Sequence, residues 1–458
     1  MLDRLSRAVG ASKSDYTDIR YEEDRSVTIQ YRNEELLQLS APVSNGGHVR
    51  CYTDGGKAIH SFSRLEDLQK GVDECSAHAA LAGRYRKNKL KLEPTEPLRG
   101  EFKVTPEKDP RDLSLDEKQK LLLHYRDVLK DVPRIVVLDG AYTDWYSKRW
   151  FVTNEGTTIE YDLLISNIRF KFTAKDGNVV QSTILSVGGS DDYSKLLDRE
   201  EDFLARAKIA AELTQAEPVK SGSYPVVLDP SEAGVFIHEA FGHLSEADGL
   251  RDNPAFRSRL QLGEKIASDV LNVTDDGTIY GVPGWHVVDD EGVKTRRTEL
   301  IKDGVLSGRM HSRETAADFS EPLSGNMRAV GPQHTQIVRM SNIFIEEGDA
   351  SFEDMIRSID HGYYIVGAKG GQTSGDQFTF GAQYGYEIRD GKLGKLVRDI
   401  NMSGRLFETM KRISMVGNDL TFEERGGCGK GSPMQLNVKS GKGSPHIKID
   451  KVTLGGGQ

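Results

Sequence analysis

Apolar residues in the first half of the chain recur at helical spacings in three segments. Ser114, followed three residues later by Glu117, has the pattern of a capping box and predicts a helix that runs to about Lys130. Another helix is predicted from about Asp198 to Thr214. An earlier helix is predicted from apolar positions three and four residues apart, which are Leu65, Leu68, Val72, Cys75, Ala79 and Ala82.

Segments rich in β-branched and aromatic residues alternate with turn signals in the same half, which favours an antiparallel sheet. Ser26 to Arg32 has strand composition, and the polar residues from Asn33 onward are typical of a hairpin turn. Residues 154–156 and 176–177 mark two further turns. The predicted strands around them are Arg134–Leu138, Trp150–Thr153, Thr158–Asp162, Leu164–Phe172 and Val179–Leu185.

The second half has a different pattern, in which short strands and glycine-containing turns dominate. Hairpin turns are predicted at Asp303-Gly304 and Asp390-Gly391, each between β-branched or aromatic residues. A polar stretch with proline and glycine, residues 217–222, separates the two patterns. The predicted fold class is therefore α+β. We expect an N-terminal domain of antiparallel sheet with helices at residues 1–217, and a C-terminal β-rich domain at residues 222–458.

One helix of the second domain carries an unusual group of polar residues. Tyr224–Leu228 is typical of a buried strand, and Asp229 then supplies an N-cap for a helix that begins at Pro230. That otherwise apolar helix contains His238, Glu239 and His243. Polar groups at such positions are costly unless they are partnered, so the cluster is a candidate metal site or a hydrogen-bonded core network.

The spacing of the two histidines determines the helix geometry that a metal site would need. Zinc peptidases commonly space their histidines four residues apart, whereas His238 and His243 are five apart. On a regular α-helix this separates the rings by about 140°. We therefore predict a wide turn or the end of the helix between them, eased by Gly242.

A catalytic zinc usually has three protein ligands, and Cys428 is the third candidate. Glycines flank it from Gly426 to Gly431, which permits close backbone approach, and a neighbouring Arg425 or Lys430 would favour the thiolate. A phosphate-binding loop fails at two positions of the same segment. A zinc deaminase is also excluded, because no His-x-Glu precedes a Cys-x-x-Cys pair. The sequence predicts a Zn²⁺ site formed by His238, His243 and Cys428.

Composition and charge restrict the class of partner. Hydrophobic residues make up 37% and charged residues 29% of the chain, as in an ordinary globular protein. The formal charge is 61 − 70 = −9, with no cluster of Lys or Arg, which argues against nucleic acid as a ligand. No signal peptide and no segment long enough to cross a membrane is recognisable. With three scattered cysteines, the expected location is the cytoplasm.

Several motifs together resemble the TldD/PmbA family of metalloproteases. The strongest are Asp-Pro-Ser-Glu-Ala-Gly-Val-Phe-Ile-His-Glu-Ala-Phe-Gly-His, residues 229–243, and Gly-Gly-Cys-Gly-Lys-Gly-Ser-Pro, residues 426–433. Gly370–Thr373, Gly325–Ala329 and, more weakly, Gly47–Arg50 extend the resemblance over nearly the whole chain. It implies a zinc-binding, TldD-like subunit in which His238, His243 and Cys428 bind zinc and Glu239 activates water as the general base.

The same resemblance implies substrates and partners. It predicts hydrolysis of unfolded or extended peptides, and either a homodimer or a heterodimer with a PmbA-like subunit. Gly370–Thr373 is a candidate for binding a peptide by strand addition, or else a tight turn, and Arg328 is a candidate for holding a substrate carboxylate or a structural Asp.

Two other functions compete with catalysis. A non-catalytic assembly subunit would use a structural zinc with a fourth ligand such as His286, His311 or His334. A role in DNA topology, which an old family name suggests, is disfavoured as direct binding by the acidic charge. A two-His, one-Cys ligand set also accepts cobalt or iron in place of zinc.

Overall fold

The computed structural model describes residues 1–424, 426–431 and 434–456, and the side chains of 190, 374, 436–438 and 456 are left out of the description. Helices and sheets both occur throughout the chain, which confirms the α+β class. No helix in this described part is long and apolar enough to span a membrane.

The first half consists of long strands and four packed helices. The helices are α1 (Leu2–Gly10), α2 (Leu68–Tyr85), α3 (Leu115–Leu129) and α4 (Glu200–Leu213). The strands are β1 (Tyr16–Arg32), β2 (Glu35–Ser40), β3 (Val43–Thr53), β4 (Gly56–Phe62), β5 (Arg99–Phe102), β6 (Ile135–Thr153), β7 (Thr158–Asp176) and β8 (Val179–Ser190).

The three helices predicted in this half are confirmed. Ser114 accepts a hydrogen bond from the backbone N–H of Glu117, and the Glu117 side chain accepts from the backbone of Ser114, which completes the capping box of α3. The spacing of apolar positions in α2 is explained by burial of Leu68, Val72 and Cys75 against the sheet.

The predicted strands of the meander are too short. Arg134–Leu138 and Trp150–Thr153 belong to the single strand β6, and Thr158–Asp162 and Leu164–Phe172 belong to the single strand β7. The polar residues between the predicted strands remain extended because β6 pairs with β1 on one edge and with β7 on the other. Strand pairing therefore overrides local composition.

The second half begins at the predicted polar stretch and contains shorter elements. Its helices are α5 (Pro230–Ala240), α6 (Ala247–Arg251), α7 (Pro254–Arg257), α8 (Arg313–Phe319), α9 (Phe352–Arg357) and α10 (Leu406–Met410). Its strands are β9 (Glu217–Pro218), β10 (Gly222–Leu228), β11 (Val273–Asp276), β12 (Arg297–Lys302), β13 (Val305–Leu306), β14 (Met327–Arg328), β15 (Ile337–Val338), β16 (Asn342–Ile345), β17 (His361–Ser374), β18 (Gln377–Arg389), β19 (Lys392–Arg398), β20 (Ile400–Arg405), β21 (Ile413–Val416), β22 (Thr421–Phe422), β23 (Cys428–Lys430), β24 (Gln435–Val438), β25 (Gly441–Ser444) and β26 (Ile447–Gly456).

Two sheets of the second half enclose α5. One sheet closes on itself, because β17 pairs with both β10 and β18, and β26 and β20 complete the ring. The other has the strand order β13-β12-β11-β16-β25-β22. The hairpins predicted at Asp303-Gly304 and Asp390-Gly391 are confirmed. The α5 helix follows β10 and contributes Phe236 and Ile237 to the main hydrophobic core.

Buried ion pairs connect the first sheet to the second half. The Arg50 guanidinium lies 2.5 Å from Glu291, and Arg20 and Arg149 lie 2.9 and 3.1 Å from Asp290. All five side chains are at most 3% exposed. The two halves therefore share a buried, charged contact surface, while the division into two domains stays a prediction.

Candidate metal centre

The helix that carries the polar cluster begins and ends where the sequence predicts. The Asp229 side chain accepts a hydrogen bond of 2.8 Å from the backbone N–H of Glu232, and Pro230 occupies the first helical position. The helix ends at Ala240, and a 3₁₀ helix follows at Gly242–Ser245. The predicted end of the helix between the two histidines is confirmed.

This change of helix type brings the two imidazoles together. The ring centroids of His238 and His243 are 5.4 Å apart, with an angle of 87° between the ring planes. His238 is completely buried, and neither of its ring nitrogens has a hydrogen-bond partner among the described residues. Burial lowers the pKa of His238 well below its usual value. A neutral, unpartnered imidazole has a lone pair available for a metal, whereas a hydrogen-bonded core network would have satisfied it.

Cys428 completes the cluster from the opposite side. It begins β23, and one potential ligand atom from each of His238, His243 and Cys428 lies within 4.8 Å of the others. The predicted close backbone approach is confirmed at Gly426, where a Cβ atom would lie 1.9 Å from the carbonyl oxygen of Ser440. Residues 432–433 of the glycine-rich motif lie outside the described residues.

The electrostatic surroundings favour a thiolate at Cys428. Burial alone would raise the pKa of this thiol, but contacts with His243 and Arg339 outweigh burial and lower it. The Arg339 guanidinium donates a hydrogen bond to the Cys428 sulfur, and the Ser440 hydroxyl lies 3.6 Å from it. Because the thiolate is the form that binds metals, the site fits a soft, borderline cation such as zinc.

Glu246 orients the second histidine. Its carboxylate lies 3.0 Å from the Nδ1 atom of His243, which leaves the Nε2 atom available for a metal. Burial would raise the pKa of Glu246, but Lys430 and His243 outweigh it and lower the pKa to about 2. The Lys430 ammonium lies 2.9 Å from this carboxylate. Glu246 is therefore an anionic support behind the proposed ligand.

Glu239 lies at the open side of the cluster. Its carboxylate is 3.7 Å from the Nε2 atom of His243, and its side chain is 27% exposed. The backbone carbonyl of Glu239 accepts a hydrogen bond of 3.0 Å from the Thr373 hydroxyl. A partly exposed carboxylate beside a candidate metal ligand is a candidate general base.

Other predicted site residues lie elsewhere. His286 is within hydrogen-bond distance of the carbonyl oxygens of Gly284 and Gly325, and His311 contacts Thr315 and Glu321. In the described part of the chain, neither these two histidines nor His334 lies among the ligand atoms that cluster at the site. Arg328 donates to the carbonyl oxygens of Lys439 and Met340, and it forms no ion pair with an aspartate of the described residues.

The prediction that a sequence neighbour supports the thiolate is wrong for Lys430. Its ammonium binds Glu246 and Asp248, because those carboxylates lie 2.9 and 2.6 Å away, and Arg339 contacts the sulfur instead. Arg425, the other predicted neighbour, lies outside the described residues. Sequence reasoning missed Glu246 and Arg339. Glu246 could have been found from its spacing of three residues from His243, which places the two side chains near each other on a helix. No local sequence pattern indicates Arg339.

Three family models match successive parts of this chain. They are described as PmbA/TldA metallopeptidase domain 1 at residues 17–80, the central domain at residues 108–216 and the C-terminal domain at residues 221–456. The C-terminal model alone covers more than half of the chain and includes His238, His243 and Cys428 together with Glu239.

Curated relatives are similar over nearly their whole length. A metalloprotease from Synechocystis sp. is 37% identical over 448 residues, which cover 97% of this chain and 96% of the relative. A zinc metalloprotease TldD homolog from Saccharolobus solfataricus is 28% identical over 462 residues, which cover 99% and 98% of the two chains.

Solved structures share the fold. TldE from Thermococcus kodakarensis superimposes with a TM-score of 0.78 at 19% identity, covering 99% of this chain and 100% of the other. A protein from Thermotoga maritima, described as a modulator of a DNA gyrase, has a TM-score of 0.80 at 21% identity, with 99% of each chain covered. At these identities, the likeness shows the fold alone.

Proposed function

Because the chain belongs to the TldD/PmbA family of metallopeptidases, we propose that it is a zinc-dependent peptidase whose ligands are His238, His243 and Cys428. The observation that carries this proposal is the unpartnered, fully buried His238 imidazole within 4.8 Å of two further ligand atoms. A buried polar group without a hydrogen bond is costly, and coordination to a metal would remove that cost.

The reaction assigned to the site is hydrolysis of a peptide bond. The chemistry that zinc supplies when bound is Lewis acidity. Glu239 takes the proton of the attacking water and later delivers it to the leaving amine, so the electron pair of the broken C–N bond leaves with the nitrogen. Glu246 holds the Nδ1 side of His243, and Arg339 holds the Cys428 sulfur, which keeps both ligands oriented during turnover.

An exposed strand edge beside α5 supports an extended peptide as substrate. The β17 strand pairs with β10 only at Tyr363–Ile365, and no other strand among the described residues pairs with that edge. Residues Gly370–Thr373 continue this edge as strand rather than as a tight turn. The Thr373 hydroxyl contacts the Glu239 carbonyl, so the edge runs next to the proposed base. A peptide added there as a strand would pass the metal site.

The number of ligands argues against the competing structural role. A structural zinc normally has four protein ligands, whereas the cluster found in the described residues contains three. Glu239, partly exposed and 3.7 Å from the Nε2 atom of His243, would be the residue beside a water in the remaining position. This arrangement favours catalysis over a metal that only stabilises an assembly subunit.

Oligomeric state and location complete the proposal. Membership of the PmbA/TldD family supports association with a related subunit, in a heterodimer or in a homodimer. The three cysteines are all free thiols, which supports the reducing environment of the cytoplasm.

The test of this function separates the base from the metal. We expect Glu239→Gln to retain the zinc content of the wild type and to lose cleavage of an unfolded protein such as reduced casein by about 10²–10⁴-fold. The control is Glu264→Gln, which changes an exposed carboxylate outside the site and should leave cleavage unchanged. Full cleavage by Glu239→Gln protein would rule out the assigned base.

A further inference from the structure

A cavity of about 390 Å³ lies between the first sheet and the second half of the chain. Its volume is in the range of small-ligand sites. Much of its wall is apolar and aromatic, formed by Trp145, Tyr161, Leu163, Ile165, Trp285 and Val288. It is therefore large enough for one or two amino-acid residues with an apolar side chain.

The acidic side chains that line the cavity already have cationic partners. Asp290 lies 2.9 Å from Arg20 and 3.1 Å from Arg149, and it accepts further hydrogen bonds from the Tyr161 hydroxyl and a backbone N–H. Asp144 lies 2.7 Å from Lys118. Arg149 is balanced by Asp290 together with Glu22, so these groups contribute no free positive charge.

Two other basic side chains of the cavity wall, Lys439 and Arg328, form no ion pair with a carboxylate of the described residues. The Lys439 ammonium donates a hydrogen bond of 2.7 Å to the carbonyl oxygen of Leu164, and the Arg328 guanidinium donates only to carbonyl oxygens. Within the described residues, no carboxylate lies within ion-pair distance of either. Burial lowers the pKa of Lys439 to about 7 and that of Arg328 to about 10. Both groups would therefore gain from an anion in the cavity.

Two segments of the cavity wall continue into the candidate metal centre. Gly426 lines it, and the backbone N–H of the next residue donates a hydrogen bond of 2.9 Å to the carbonyl oxygen of Ser440. Lys439 precedes Ser440, whose hydroxyl lies 3.6 Å from the Cys428 sulfur. The segment that carries Lys439 is thus hydrogen-bonded to the segment that carries Cys428, and Arg328 donates a hydrogen bond to the Lys439 carbonyl oxygen.

We propose that this cavity binds a carboxylate of the peptide substrate through Lys439 and Arg328, with an apolar residue held against its aromatic wall. This inference rests on the proposed peptidase function. It adds a substrate class, peptides that carry a carboxylate at a fixed position from the cleaved bond. The carboxylate belongs either to the C-terminus of the peptide or to an acidic side chain, and the two sources share the same chemistry.

The experiment measures binding to full-length, zinc-loaded Glu239→Gln protein, in which cleavage is disabled. Three fluorescein-labelled octapeptides of alanine, serine and leucine serve as probes: one with a free C-terminus, one amidated, and one amidated with a single glutamate. We expect the free acid or the glutamate peptide to bind about tenfold more tightly than the uncharged amide in fluorescence anisotropy. Which of the two binds tightly identifies the source of the carboxylate.

Variants of the cavity wall test the assigned cation. Lys439→Met should remove the preference, because it keeps the aliphatic stem and loses the charge. Asn167→Asp should also remove the preference, because it places a carboxylate of the protein itself in the cavity. This second variant tests the proposal if Lys439→Met protein does not fold. Lys392→Met, at an exposed position, should keep the preference.

Three results would overturn the proposal. The first is equal binding of all three peptides to the protein with an unmodified cavity. The second is a preference for the carboxylate peptide that persists in both Lys439→Met and Asn167→Asp. The third is no binding of any peptide. Cleavage of the uncharged amide by the wild type is measured in parallel. If that peptide is cleaved while the preference is absent, the carboxylate site fails and the peptidase function stands.

Discussion

At the scale of single residues, the proposed metal centre depends on side chains outside the proposed ligand set. Glu246 is 1% exposed and receives the Nδ1 side of His243, while Lys430 neutralises its charge. Such a carboxylate fixes the orientation of a ligating imidazole and raises its basicity. Glu246, three residues further along the chain, therefore sets the orientation of the His243 ring.

Replacing this carboxylate tests its role. We expect Glu246→Gln to weaken zinc binding by about 10–100-fold, because the amide retains the shape but loses the charge that supports the imidazole. Affinity is measured by competition with a chelator of known zinc affinity. Glu264→Gln is the matched control, and an affinity for zinc that equals the wild type in both variants would show that Glu246 is not a support.

The proposed ligands stand out in the sequence, whereas their supports are indicated weakly or not at all. His238, His243 and Cys428 stand out because imidazole and thiol groups are strong ligands and two of them interrupt an apolar helix. Arg339 and Cys428 are 89 residues apart in sequence. In the sequence alone, an arginine that contacts a thiolate cannot be told from an arginine at the surface or in an ordinary ion pair. Contacts of this kind follow from strand pairing, which no local pattern specifies.

At the scale of elements, the end of α5 is the feature that makes the site. A regular α-helix through Gly242 would separate the two imidazoles, whereas the change to a 3₁₀ helix brings their centroids to 5.4 Å. Gly242 is packed tightly, since a Cβ atom there would lie 2.2 Å from the Met340 sulfur and 3.0 Å from Ile343. The glycine is required for close packing at the helix end.

Adding one methyl group tests this packing. We expect Gly242→Ala to reduce the free energy of unfolding by about 1–3 kcal/mol through overpacking, and to lower zinc occupancy by displacing His243. The free energy is measured by urea unfolding and the metal by elemental analysis. Gly249→Ala is the control, because that helical position has open space within 4 Å, and it should be neutral or stabilising.

Elements with strong local signals were predicted more accurately than the long strands. The capping box of α3 and the N-cap of α5 involve contacts within three residues, so the sequence contains all their determinants. The middle of β6, with Asp139, Lys148 and Arg149, has a polar composition but pairs along both edges. Its extended conformation depends on pairing with β7, the next strand, and with β1, which is more than a hundred residues away in sequence.

At the scale of the whole molecule, buried charges hold the two halves together. Glu314 of α8 lies 2.6 Å from Lys57 and accepts a hydrogen bond of 2.5 Å from the Tyr52 hydroxyl, both of the first half. Burial would raise the pKa of Glu314, but Lys57 and Tyr52 outweigh burial and hold the pKa below its usual value of 4.5. Folding therefore stabilises the ionised form of Glu314 relative to its protonated form.

The sign of this shift predicts how stability responds to acid. Because the folded pKa of Glu314 is depressed, its contribution is fully present above pH 4.5 and is lost as the pH falls below that value. We expect Glu314→Gln to lower the free energy of unfolding at neutral pH by about 2–4 kcal/mol. The difference from the wild type should shrink as the pH falls below about 4.

Urea unfolding of both proteins across this pH range gives the measurement. Glu353→Gln, which changes an exposed carboxylate of α9, is the control for the general effect of lost charge. A difference between Glu314→Gln and wild type that stays constant from neutral to acid pH would contradict the account of this contact.

The central claim is the ligand set of the metal centre, and zinc K-edge X-ray absorption of the purified, metal-loaded protein tests it most directly. The account predicts one sulfur at about 2.3 Å together with nitrogen ligands at about 2.0–2.1 Å, and loss of the sulfur signal in Cys428→Ser. The Cys51→Ser variant, which changes a buried thiol of the first half, should retain that signal. A spectrum without sulfur in the wild type, or one that Cys428→Ser leaves unchanged, would contradict the account.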